Sequence, residues 1–238
     1  MNNHPIDLAR LPCRQFKDGA WRSFQDEAAA EIRLTLTFEG GFEKNLWAFP
    51  DGRLRELALG HALLDVCKAG TVPELVEESD TGFRLRIKPG TPPQAKPWPG
   101  ALTPKDILDG AARFMEMAGR WDATGCFHRA AVYDPASRTF IHHVEDIGRH
   151  NCLDRMAGWA LSRGEALAGR VLFVSARATA SLVGKAVRTG YAMMVSRSAV
   201  TTAGVEIARK GSMSLIGFSR ENRFSIFTDT NERIADTD

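Results

Sequence analysis

The sequence predicts an α/β protein whose C-terminal half is a largely parallel sheet covered by helices, preceded by a small β-rich subdomain. Two observations predict this. Residues 171–174, 192–195 and 214–218 are short, almost wholly apolar runs, each with a helical segment beside it. Such runs alternating with helices read as parallel strands buried on both faces. Upstream, Ile32, Leu34, Leu36 and Phe38 alternate strictly with Arg33, Thr35 and Thr37, the two-residue period of a half-buried strand.

Taken in order, the first residues, Cys13 among them, read as a loose arm ahead of the strand that starts near Glu31. Gly40-Gly41 turns the alternating strand into a second one near residues 46–49. Asp51 then caps a helix through Leu54, Leu57, Ala58, Ala62 and Val66. Phe83, Leu85 and Ile87 alternate with Arg84 and Arg86, giving a further strand, and the prolines and glycines of residues 89–99 make a loop. Thr103-Pro104 opens a helix with Ile107, Leu108, Ala111, Phe114 and Met115 at helical spacing. Strands at 128–133 and 139–144 flank the turn 134–137, and a helix follows from Arg149 to about Leu161. The domain boundary falls between 1–102 and 103–238.

The chain has 238 residues, 44% hydrophobic and 25% charged, enough to bury one sizeable core. A net charge of +2 does not call for nucleic acid. No apolar run is long enough to span a bilayer and no signal region opens the chain, so a cytoplasmic protein without membrane partners is expected. Cys13, Cys67, Cys126 and Cys152 lack Cys-x-x-Cys spacing, so neither zinc nor a disulfide framework is expected.

The densest polar stretch is Glu145-Asp146-Ile147-Gly148-Arg149-His150-Asn151, at the handover from strand to helix. Glu145 and Asp146 are expected to cap the helix or orient Arg149. Asp154, four residues after His150, shares its helical face and is a candidate to fix its tautomer. His128 can set hydrogen bonds inside the site, Asn151 can read an amide or purine edge, and Lys185 reads as a helix-face charge. A Ser and an Arg recur after each of three strands: Ser175 with Arg177, Ser196-Arg197-Ser198, and Ser219-Arg220. In parallel sheets, ligands bind at the carboxyl ends of strands. Guanidinium forks and hydroxyls there predict an anionic, phosphate-bearing ligand.

These stretches resemble the FdhD family of formate dehydrogenase accessory proteins. The resemblance is carried by Thr124-Gly125-Cys126-Phe127-His128-Arg129-Ala130-Ala131, by 145–151 with Asp154 and Arg155, and by 175–183, 185–190, 195–199 and 217–220. It implies a three-layer fold similar to cytidine deaminase, formate dehydrogenase and a cysteine desulfurase as partners, and a homodimer. It implies sulfur transfer to the molybdenum bis-guanine-dinucleotide cofactor, with GDP as its mimic. The nucleotide-binding stretch it implies is Phe218-Ser219-Arg220-Glu221-Asn222-Arg223, with Phe218 stacked on guanine. One departure matters. Where the family places a sulfur-carrying Cys-x-x-Cys loop, residues 83–102 hold no cysteine. Cys126, and less so Cys152, are the candidate substitutes, beside Arg149, His128 and His150. A zinc deaminase is disfavoured, because the helix offers Arg149-His150-Asn151-Cys152, the next helix offers Ala178-Thr179-Ala180-Ser181, and no Pro-Cys-x-x-Cys element occurs. The rival reading is a binding module that holds cofactor or dehydrogenase without moving sulfur.

Overall fold

The computed structural model describes residues 8–95 and 98–236. Residues 1–7, Lys96, Pro97 and the last two residues lie outside that description, and with them parts of the expected arm and proline loop.

The rest of that arm is ordered. Strands β1 (Leu8–Lys17) and β2 (Ala20–Ala29) pair antiparallel over ten residues. Their turn is Asp18-Gly19, with φ of 52° and 80°. A two-residue Asp-Gly turn with both residues left-handed matches the twist of a hairpin. The expectation of a loose arm is therefore corrected for residues 8–29. Periodicity missed the ribbon because neither face is buried: Leu11, Phe16 and Trp21 are all exposed.

The second sheet holds β3 (Ile32–Phe38), β4 (Glu43–Ala48), β5 (Thr71–Glu78) and β6 (Gly82–Pro89) in the order β4-β3-β6-β5. The alternating residues behave as their period demands: Leu34, Leu36 and Phe38 are buried together with Phe83 and Leu85. Strand β5 is an addition to the expected set. It lies at the sheet edge, where Pro73 is tolerated because it need not donate. Helix α1 (Leu54–His61) follows β4 and ends in a π-turn, Ala62–Val66.

The third sheet has six strands in the order β12-β11-β10-β9-β7-β8. These are β7 (His128–Asp134), β8 (Thr139–Asp146), β9 (Val171–Val174), β10 (Met193–Ser196), β11 (Ser214–Arg220) and β12 (Arg223–Thr228). Strands β9, β10 and β11 are parallel, as their apolar runs predict. Strands β7 and β12 run against them and β8 runs against β7, so the sheet is mixed. On one face lies α2 (Pro104–Met115), started by a Thr103–Asp106 capping box. On the other lie α4 (Arg149–Arg163), α5 (Ala180–Thr189) and α6 (Thr202–Lys210). A short helix, α3 (Trp121–Thr124), precedes β7.

The second and third sheets are joined through α1 and α4, whose backbones touch. A Cβ on Gly60 would sit 1.7 Å from the Asp154 carbonyl oxygen, and one on Gly158 would sit 1.8 Å from that of Glu56. Only glycine allows that approach. No helix among the described residues is long and apolar enough to cross a membrane.

Candidate functional site

The carboxyl ends of β9, β10 and β11 form one rim, and β7 starts and β8 ends there as well. His128 pairs with Asp146 in register, and the Ser175 N–H donates to the Arg129 carbonyl at 3.0 Å. The rim thus gathers the residues that the sequence singles out. A sheet has two faces, however, and these residues divide between them.

On the α2 face, Arg197, Ser219, Arg220, Glu221 and Asn222 line a cavity of about 360 Å³ walled by Leu108 and Met115 of α2. The backbone there is unusual. Phe218, Glu221 and Asn222 have φ of 54°, 56° and 55°, and the pairing of β11 with β12 shifts register between Gly217 and Arg220. Left-handed conformations at non-glycine residues cost free energy and persist only where the surroundings enforce them. Phe218 is held by its N–H donating to the Ser198 carbonyl at 2.9 Å. The bulge turns Ser219 inward: the residue is 4% exposed, and its buried hydroxyl has no hydrogen-bond partner. Buried polar groups are nearly always paired, so an orphan in a residue that lines a cavity marks a place for a ligand atom or water. Arg220 makes only a loose 3.7 Å pair with the exposed Glu221. Arg223 is exposed, 3.6 Å from Glu221, and outside the cavity lining. The Phe218 ring is half-buried, 6.2 Å from that of Phe227.

On the α4 face, the buried His128 Nδ1 and Arg149 Nε have no partners. Burial, then the charges of Arg149 and Arg177, lower the His128 pKa. His150 is likewise lowered by burial and then by Arg149 and Lys185, and its Nε2 lies 2.8 Å from the Ser181 hydroxyl. Helix α4 starts at Gly148 and α5 at Thr179, neither with a side-chain cap. Cations, neutral imidazoles and uncapped amides together favour an anion. Cys126 is exposed at this edge, its N–H held by the Thr124 hydroxyl at 3.2 Å. Cys152 differs. It is 1% exposed, its thiol donates to the His128 carbonyl at 3.4 Å, and burial pushes its pKa up. A thiol that resists ionising is no nucleophile.

Several singled-out residues serve the chain itself. The Ser175 hydroxyl accepts the Arg129 N–H at 2.9 Å. The Ser196 hydroxyl donates to the Ala176 carbonyl and accepts the Ser198 N–H, at 2.8 and 3.1 Å. Asn151 donates to the Trp47 carbonyl and to Asp146, both at 2.8 Å, which commits its amide nitrogen. Glu145 pairs with Arg129 at 2.7 Å rather than with Arg149, and accepts the Trp121 N–H at 3.2 Å. Asp146 binds Arg155 at 2.7 Å and the Gly148 N–H at 2.9 Å.

The expectation that Asp154 orients His150 is corrected. Its oxygens meet His61 at 3.2 Å and the Lys185 ammonium at 2.5 Å. Lys185 is buried, not a solvated charge, and also reaches Asp65 at 2.6 Å. His61 and Asp65 escaped notice in the sequence, although their four-residue spacing puts them on one helical face. With Asp154 they have a metal-like arrangement. The Lys185 ammonium bridges the two carboxylates and supplies the positive charge that they need.

In comparisons with known proteins, residues 78–235 match the FdhD/NarQ family. The chain is 37% identical over 221 residues to "Protein FdhD" of Methanocaldococcus jannaschii, covering 93% of this chain and 96% of that protein. It is 34% identical over 137 residues to "Sulfur carrier protein FdhD" of Staphylococcus aureus (strain Newman), over 58% of this chain and 51% of that protein. A crystal structure from Desulfotalea psychrophila, described as a formate dehydrogenase accessory protein, superposes with a TM-score of 0.80 over 97% of this chain and 100% of the other. At 18% identity that likeness shows a shared fold.

Proposed function

Because the chain belongs to the FdhD/NarQ family, we propose that it is an accessory protein of formate dehydrogenase maturation that binds the molybdenum bis-guanine-dinucleotide cofactor at the sheet rim. The observation that carries this reading is the orphaned hydroxyl of Ser219, a residue that lines a cavity with Arg197 and Arg220. A phosphate would give the hydroxyl an acceptor and the guanidiniums a bidentate partner. The basic cluster of His128, Arg149 and Arg177 lies on the other sheet face, at the same edge. A ligand with two separate phosphorylated arms suits such a divided rim better than one compact nucleotide does.

Calorimetry with GDP tests the reading. Arg220→Ala and Arg197→Ala are expected to weaken binding by roughly tenfold or more each, the worth of a charge-assisted hydrogen bond. Wild-type protein that fails to bind GDP with any measurable heat, and fails to retain the cofactor through gel filtration, would refute it.

A second reading, a binding module that moves no sulfur, is favoured by one specific observation. Between β6 and α2, where the family carries its sulfur, there is no cysteine. Cys67 and Cys152 are both buried with raised thiol pKa values, burial being the main cause of each. Cys126 is the exposed thiol at the rim. If a cysteine desulfurase loads this chain, mass spectrometry after incubation with desulfurase and cysteine will find the added sulfur on Cys126. Its absence from every cysteine supports the module.

A further inference from the structure

We infer that the chain carries a second binding site, for a small alkyl anion, at the far end of the α4–α5 layer. This inference does not depend on the function proposed above. At 1.5 Å per residue, the twelve-residue step from Arg149 to Leu161 puts the site about 18 Å along α4 from the rim.

A cavity of about 580 Å³ opens there. Small-molecule sites span roughly 300–1,000 Å³. Its walls come from separate parts of the fold: Leu64 from the π-turn, Ala160 and Leu161 from α4, and Leu167 from the loop before β9. Pro92 and Pro93 close one side. Backbone bonds hold the frame open. The Cys67 N–H reaches the Ala62 carbonyl at 2.8 Å, completing the π-turn, and the Gly90 N–H ties the proline loop to the Gly70 carbonyl at 3.0 Å. Arg188 donates to the Leu64 carbonyl. An apolar hollow propped by fixed backbone resists collapse, so filling it with carbon gains burial without reorganising the chain.

The lining dictates the occupant. No aromatic side chain is among the described lining residues, so nothing offers a ring to stack on, and the aliphatic walls suit an alkyl body. The charged groups, Lys68, Arg188 and Glu165, are all exposed at the mouth. None of the three makes an ion pair among the described residues. Two cations against one acid leave a net positive mouth, which selects a carboxylate or similar anionic head.

Three probes with the same tail and different heads test this: decanoate, decanol and decylammonium, titrated by calorimetry below their micelle concentrations. Decanoate is expected to bind saturably at one site, decanol about tenfold more weakly, and decylammonium not at all. The Lys68→Glu/Arg188→Glu double variant should lose the preference for decanoate. Leu161→Trp should fill the cavity and abolish binding, and Gln94→Trp at the exposed mouth makes the same test if the first variant does not fold. Bound decanoate should also slow alkylation of Cys67, on the cavity wall, while leaving Cys126 unchanged. Equal binding of all three heads would overturn the anion assignment. No saturable binding of decanoate, or binding that survives both tryptophan variants, would overturn the site.

Discussion

The junction between α1 and α4 and the cavity beside β11 are both crowded with charged side chains, and they use them in opposite ways. At the junction the central buried cation is fully answered. Arg155, with a fully buried side chain, reaches Asp146 at 2.7 Å, Asp51 at 2.5 Å and the Phe49 carbonyl at 2.6 Å. On the α2 face of the third sheet, Arg129 is likewise met by Glu145 and by the carbonyls of Phe114 and Met115. At the cavity, a buried hydroxyl is unanswered and the arginines are held loosely or not at all. Charge density alone therefore does not mark a binding site. A site keeps polar capacity in reserve, and a structural network uses it up.

The largest effect that sharpens this contrast is at the junction. Arg155→Met strands Asp146 without its cation and leaves Asp51 only Arg53, at 3.0 Å, and removing one partner of a buried pair costs about 3–5 kcal/mol. Urea unfolding should show that loss, or no folded protein. Arg220→Ala at the cavity should leave the urea midpoint unchanged, because exposed pairs of this kind contribute about 0–1 kcal/mol. Equal destabilisation by the two would erase the distinction. Gly158→Ala belongs with the first class. Its methyl would overlap the Glu56 carbonyl, and forcing the helices apart should cost about 1–3 kcal/mol or more.

A smaller effect separates two histidines by the sign of their pH dependence. Burial opposes the charged form of His61, but hydrogen bonds to Asp154 and then Asp65 outweigh it, leaving the pKa above 6.5. Stability from His61 is thus complete below the unfolded pKa and is lost as pH rises through the folded one. His142, stacked on Trp159 at 4.1 Å, is pushed down to about 4, mainly by burial and then by Arg53. Its contribution is complete above the unfolded pKa and is lost as pH falls from there toward 4. His61→Gln should flatten the alkaline side of the stability profile, and His142→Phe the acid side. Urea midpoints from about pH 4 to pH 9 check both, and the same slope for the two variants contradicts the assignment.

Much of the fold was legible because burial writes periodicity into sequence. The alternation in β3 and the apolar runs of β9, β10 and β11 put their residues where that pattern requires. Elements with little burial were harder to read. The hairpin of β1 and β2 left only its Asp18-Gly19 turn as a signal. Strand β5, with Pro73 and three glutamates, reads as a loop until its edge position is known. The site was legible as a rim but not as two faces. Side-chain direction alternates along each strand, so His128 and Arg129, adjacent in sequence, serve opposite layers. The stretch 145–151, the densest polar run in the chain, proved largely structural. Nothing in its composition shows that Glu145, Asp146 and Asn151 already have partners, for those partners come from residues 47, 129 and 155.

The finest discrimination rests on Ser219. Removing a partnered buried hydroxyl leaves its partner stranded and destabilises a protein, whereas an orphan has no partner to strand. Ser219→Ala should therefore leave stability unchanged within about 1 kcal/mol, or raise it slightly, by relieving an unpaired polar group of its desolvation cost. Ser196→Ala, whose hydroxyl bridges the Ala176 carbonyl and the Ser198 N–H, should lose about 1–3 kcal/mol at a site only one strand away. If Ser219 is reserved for a ligand, GDP affinity should fall about tenfold in Ser219→Ala. A variant made no less stable that binds more weakly identifies a group kept for function. A destabilised one with unchanged binding would mean that an internal water already partners the hydroxyl, and that the cavity holds nothing in reserve.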